Sequence, residues 1–193
     1  KDTSQDELLG LIKELNNDIK VRESTSSKRV TFDTTKFGHT VKLWTLTLEI
    51  SVLMAQFPSK EIARRSYEFR TLGLGFANIG GLCMASGIPY DSDQGRSLCG
   101  AITAIMTGIS YATSAEIAGE MGSFPGYPKN SQDMLRVIRN HRRAAYAKKS
   151  GYEKISTFPV PLDTNNCPNK KIKETLKKMN IFALCTVFFG FDF

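Results

Sequence analysis

At 193 residues the chain allows one domain or one slice of a larger one, and 41% hydrophobic with 23% charged residues is an ordinary globular composition. The net charge of +7 is concentrated: from Asp133 to Lys178 twelve Lys/Arg stand against four Asp/Glu, so either a phosphate-bearing partner meets that region or it is a solvated basic face. Nothing in the charged opening residues resembles a secretory signal and the apolar stretch Ile181–Phe193 is too short to cross a bilayer, so the cytoplasm is the expected compartment and no membrane partner is expected.

Asp2 or Ser4 can cap a first helix running to about Val21. Leu8, Leu11, Ile12, Leu15 and Ile19 fall at helical spacing, with Asp6, Glu7, Glu14 and Asp18 facing away. Residues 1–23 therefore read as an amphipathic surface helix, and 24–33, around STSSK, as a polar linker. Asp33 or Thr34 caps a second helix reaching about Gln56. Phe37, Val41, Trp44, Leu48 and Val52 make one stripe on it, while Leu43, Leu46, Ile50, Leu53 and Met54 fill the other sides. A helix apolar nearly all round is buried or needs a partner to bury it. Phe57-Pro58 ends it, and Ser59 caps a third helix from Lys60 to Phe69.

Phe69 to Tyr90 (FRTLGLGFANIGGLCMASGIPY) carries five glycines in an apolar run with no charge after Arg70. Thr71–Phe76 reads as a short buried strand. Its two glycines weaken a strand, which implies that another backbone or a ligand comes close. Ala77–Ser86 reads as a short packed helix ended by Gly87, with Pro89 blocking continuation. Strand, turn and helix in that order make half of a βαβ unit, so the expected fold class is α/β and predominantly helical. The dinucleotide fingerprint G-x-G-x-x-G fails, because Asn78 stands where the third glycine belongs, and no Walker phosphate loop occurs.

Ser92 or Asp93 caps a long helix to about Met121. Leu98, Ile102, Ile105 and Ile109 form one stripe, beside a second of small residues, Ala101, Ala104, Gly108, Ala112 and Ala115. After the turn-rich Gly122–Pro128, Ser131 caps a helix ending near Lys149. Met134, Ile138, His141 and Ala145 share one of its faces; with no acid or nucleophile in readable relation to it, His141 reads as structural. Arg136, Arg139, Arg143 and Lys148 spread over the rest, either as a bidentate phosphate grip or as a salt-bridged face. Ser150–Pro168 is irregular, and a lysine-rich helix follows from Asn169 to Asn180. Ile181–Phe193 (IFALCTVFFGFDF) has no polar face and is an aggregation liability unless it docks. The four cysteines show no C-x-x-C and no metal-like spacing to His39 or His141. Cys83 and Cys99 read as small core residues in a reducing compartment.

Four phrases carry a family resemblance: LEISVLMAQFPSKEIARRSYEFR, FRTLGLGFANIGGLCMASGIPYDSDQGR, AITAIMTGISYATSAE and MLRVIRNHRRAAY. Together they resemble the large chain of adenosylcobalamin-dependent (class II) ribonucleotide reductases, almost unbroken from about Phe32 to Pro168. The resemblance implies a catalytic domain that is a ten-stranded α/β barrel of two five-stranded parallel halves. A central loop there carries a radical cysteine, which adenosylcobalamin oxidises so that it can abstract the 3′ hydrogen of a ribonucleotide. On this reading 34–168 is a partial barrel from the middle of that domain, and 169–193 is an atypical, altered C-terminal tail. Lys1 in place of an initiator Met agrees with a piece of something larger.

The family's radical loop reads approximately N-x-C-x-E and its substrate-phosphate loop approximately P-T-G-[ST]. Neither occurs here: Cys83 lies between Gly81 and Ala85, Cys99 between Ser97 and Ala101, and Cys167 has Asn165 before it but Asn169 where Glu belongs. No catalytic and no metal-binding residue is therefore assigned. Asn78 and Arg139 are the candidates for contact with the corrin. The chain is expected to be scaffold that binds no adenosylcobalamin alone, with the remaining reductase segments as partners and a ribonucleotide as substrate of the complete enzyme. The alternative is a basic helical nucleic-acid-binding module using Arg136 to Lys178, against which stand poorly interleaved aromatics and the lack of a docking motif.

Overall fold

A computed structural model describes residues 32–178; the expected helix of residues 1–23, most of the linker and the tail 181–193 lie outside them. Six helices follow in order: α1 (Thr34–Met54), α2 (Lys60–Phe69), α3 (Ile79–Ala85), α4 (Asp93–Met121), α5 (Tyr127–Ala145) and α6 (Lys170–Lys178).

The caps act where the sequence places them. Asp33 Oδ1 accepts from the Thr35 and Lys36 N–H groups at 3.1 and 3.0 Å, Ser59 Oγ from Ile62 at 3.3 Å, and Ser92 Oγ from Gly95 at 3.0 Å. Each satisfies first-turn donors that no helical carbonyl can reach. Ser131, by contrast, is not a cap. α5 begins four residues earlier, with Pro128 in its first turn where a missing N–H costs nothing, and the Gly126 N–H ties this start to Glu68 O at 2.8 Å. α5 also stops at Ala145 rather than Lys149. Ala147 turns left-handed (φ 57°), and the Lys148 N–H closes back on Arg143 O at 2.9 Å.

α4 is the centre. Its Leu98, Ala101, Ile102 and Ile105 are buried together with Cys83 of α3, Cys167 and Ile172 of α6, and Phe37, Phe76, Leu82 and Leu162 pack around them. α4 is long and apolar enough to cross a membrane, yet this face of it is the core. The expected stripe of small residues lets a neighbour approach: Ala112 and Ala115 receive Ile138 of α5. α1 lies along α4, and at Gly38 the two come so near that an added Cβ would stand 2.9 Å from Ile109 Cδ1.

Two expectations change. Among the described residues there is no strand; Thr71–Phe76 has no regular secondary structure and no backbone hydrogen bond, because a strand exists only with a neighbour to bond. The described residues are helical, as the predominantly helical expectation has it, and they hold no paired strand. α1 buries only Thr34, Val41 and Thr45, leaving Leu43, Trp44, Leu46, Ile50 and Leu53 about half exposed. The apolar-all-round pattern thus marks a helix whose outer face has no cover among the described residues.

Candidate functional site

A cleft of about 870 Å³ lies between α1, the chain leaving α2, the C-terminal half of α4 and the turn 122–125. Its walls are mostly apolar: Leu48 from α1, Leu72 and Leu74 from the extended segment, Met106 from α4 and Phe124 from the turn. Such a size and lining suit a small ligand or a buried segment of polypeptide.

One charged pair sits in that wall. Arg70 donates to the Glu49 carboxylate, with the two side chains only 12% and 17% exposed. Arg70 is also the residue that ends α2, in a left-handed conformation (φ 47°) with its N–H on Ser66 O at 2.8 Å. The backbone turn therefore aims the guanidinium at α1 as the chain enters the extended segment. A largely buried pair of this kind fixes geometry more than it adds stability. In sequence, Arg70 registered only as the last charge before an apolar run; the signal of its role was Glu49 within the apolar text of α1.

The two corrin candidates do not come together in this cleft, and neither lines it. Asn78 is exposed, left-handed (φ 65°), and stands at the start of α3 with no side-chain cap bond. Gly81 faces it so closely that an added Cβ would lie 2.3 Å from Asn78 Oδ1. Arg139 is engaged elsewhere. Its Nε and NH2 donate to the two Glu153 carboxylate oxygens at 3.0 and 2.8 Å, and Arg143 donates to the same carboxylate at 2.6 Å. Asn140 completes the clasp, donating to Glu153 O and accepting from Glu153 N–H, both at 3.0 Å. The two guanidiniums hold the Glu153 carboxyl down at about 2.

The arginine cluster is thus a salt-bridged face in large part, since Arg136 pairs with Asp133 as well. Glu153, unremarked in the sequence, is its hub and pins the chain after α5 back onto that helix. His141 leans on Tyr111, ring centroids 6.0 Å apart. That packing strips water from the imidazole and lowers its pKa, although the residue as a whole stays exposed. Cys83 and Cys167 are buried core thiols, and Cys99 is half-buried. Among the described residues no group of three or more His, Cys, Asp or Glu could hold a metal ion.

Comparison with known proteins adds a second kind of observation. Residues 14–183 match the family described as the ribonucleotide reductase barrel domain. The chain is similar to a vitamin B12-dependent ribonucleotide reductase of Bradyrhizobium diazoefficiens, 67% identical over 137 residues, which is 71% of this chain and 11% of that protein. A protein of the same name from Agrobacterium fabrum is 59% identical over 150 residues, 78% of this chain and 12% of its own. One from Streptomyces avermitilis is 43% identical over 136 residues, 70% of this chain and 13% of its own. The matched stretch is a small fraction of each relative's length.

Proposed function

The chain belongs to the ribonucleotide reductase barrel-domain family, and from that membership we propose that it is a scaffold stretch of a vitamin B12-dependent reductase, which turns ribonucleotides into 2′-deoxyribonucleotides for DNA synthesis. The observation that carries the reading is 67% identity over 137 residues to a reductase of which those residues are 11%. Identity at that level over a collinear stretch supports the same fold and the same place within it.

The described residues supply walls rather than reactive groups. Cys83 and Cys167, two of the three thiols among them, are buried beneath the core, where a thiol is inert. We assign 34–168 to a partial barrel, with Thr71–Phe76 a barrel strand once neighbouring strands bond to it and with α1 and α4 as covering helices. The remaining reductase segments are the partners, bearing the radical cysteine and the phosphate loop, and the cytoplasm is the setting.

Cobalamin does not fit the residues that sequence alone put forward for it. Arg139 is committed to Glu153, and neither Arg139 nor Asn78 lines the cleft. No residue of this chain is therefore assigned to the corrin, and no step of the reaction is derived from this chain. The nucleic-acid alternative is weakened in the same way, since Arg136, Arg139 and Arg143 already have carboxylate partners.

The test is equilibrium dialysis of the purified chain against adenosylcobalamin, paired with a reduction assay containing a dithiol and each ribonucleotide. No saturable binding and no deoxyribonucleotide are expected. Turnover by the chain alone would overturn the scaffold assignment, and tight, steeply salt-dependent DNA binding would favour the nucleic-acid module instead.

A further inference from the structure

We propose that Glu49 and Arg70 are positioning residues: their buried pair sets the phase with which Thr71–Phe76 leaves α2, and so decides which of its side chains meet the covering helices. The two side chains are 17% and 12% exposed, and no other ion pair among the described residues has both members so deeply buried. The pair ties α1 to the end of α2 across 21 positions of chain, and Arg70 NH2 comes within 3.5 Å of the Glu49 carbonyl oxygen as well. Taking two charges out of water costs stability that apolar side chains of the same volume would not, and registry is the best-attested use of such pairs.

Arg70 stands where the phase is decided. It closes α2 in a left-handed conformation (φ 47°) that an L side chain adopts only at a cost, and the next residue opens the run. Along the run, exposure alternates residue by residue: Thr71, Gly73 and Gly75 are exposed, whereas Leu72, Leu74 and Phe76 are half-buried. Leu72 and Leu74 line the cleft between α1 and α4, and Phe76 packs on the α4 core. Phe76 thus holds the far end, which leaves the entry to the pair. A slip of one residue would exchange the two sides completely.

What that exchange would do to the reaction rests on the barrel reading above; the phase itself does not. In a barrel wall one side of each strand meets the covering helices and the other meets the interior. Leu72 and Leu74 take the helix side, so Gly73 and Gly75 take the interior side, where an added Cβ meets nothing within 4 Å. Glycines there keep open the room that a closely approaching ligand or backbone needs. Turned by one residue, Leu72 or Leu74 would fill it. The pair acts through the strand rather than on the substrate.

The test replaces both members at once, because losing one alone strands a buried charge. In E49L/R70M the melting temperature of this chain should hold or rise, since well-packed apolar side chains replace buried ions without loss. Phase is read by iodoacetamide alkylation, located by peptide mass spectrometry. With the pair intact, Gly73→Cys should react faster than Leu74→Cys; in the E49L/R70M background the two rates should converge. In the Bradyrhizobium diazoefficiens reductase carrying residues 34–168 of this chain in place of their counterparts, E49L/R70M should lower kcat roughly ten-fold or more while cobalamin binding holds. A labelling contrast that survives in E49L/R70M, or a kcat that the double change leaves unaltered, would overturn the proposal. So would a double variant that unfolds, because the pair would then be holding the fold rather than the phase. A hybrid enzyme inactive even with the pair intact would count instead against the barrel reading, which the labelling does not use.

Discussion

Glu153 shows how much one carboxylate can organise. It receives Arg139 through both oxygens and Arg143 through one, and its backbone exchanges two bonds with Asn140. Its pKa falls from 4.5 to about 2 in the folded chain. A group whose folded pKa is depressed adds stability above its unfolded pKa, and that stability is lost as pH falls through the folded value. Between about pH 4.5 and 2 the native chain should therefore lose stability in part through this site. Glu153→Gln should lower the melting temperature at pH 7 and flatten its fall in that window; an acid-side melting series on both proteins checks it. The His141 pKa is lowered as well, by lost water, so protonation of His141 should likewise oppose folding as pH falls through and below the ordinary imidazole range.

Glycines at the same scale divide into two kinds, and the difference is measurable. At Gly95 an added Cβ would stand 2.8 Å from Tyr90 O and 3.0 Å from Pro89 O, both backbone atoms that cannot swing aside. Gly95→Ala should cost about 1–3 kcal/mol by overpacking. At Gly73 and Gly75 nothing lies within 4 Å, so Gly73→Ala should leave stability unchanged or raise it by less than about 1 kcal/mol through the unfolded state. Denaturant titrations of the two single variants give the comparison.

At the scale of elements, α4 carries the stability and the other helices are arranged on it. Ile105, fully buried where α4 meets its neighbours, should cost about 2–5 kcal/mol when changed to Ala. Leu46→Ala on α1, a residue 44% exposed, should cost far less. Much of this element map was legible beforehand. Asp33, Ser59 and Ser92 are side-chain caps, and their chemistry is local, so α1, α2 and α4 begin where the residues say. The start of α5 was not legible, because Ser131 competed with a backbone contact from Gly126 to Glu68 that spans 58 positions of chain and leaves no mark in nearby sequence. Thr71–Phe76 is unpaired among the described residues for a related reason. Its composition and alternation are those of a strand, but pairing is a property of two segments, and the described residues hold only one.

The site was legible only as a list of what is missing. Reading Cys83, Cys99 and Cys167 against the family's loops indicated scaffold, whereas Arg139 as a corrin contact ran into a carboxylate 14 residues away that periodicity could not reveal. The cleft-wall pair of Arg70 and Glu49 was equally hidden, since it depends on a left-handed turn at Arg70.

For the whole molecule, an apolar outer face on α1, an unpaired strand edge and an 870 Å³ cleft all point outward to material that the described residues do not contain. A barrel slice has these features in common, because helices and strands that would be covered by the rest of the barrel keep their apolar sides. The sharpest trial is a graft: the 137 matched residues of this chain replace their counterparts in the Bradyrhizobium diazoefficiens protein, and ribonucleotide reduction is measured with adenosylcobalamin and a dithiol. The scaffold assignment predicts cobalamin-dependent turnover within about ten-fold of the unmodified enzyme, roughly 1.4 kcal/mol in barrier height. A graft that folds and binds cobalamin but makes no deoxyribonucleotide would contradict it.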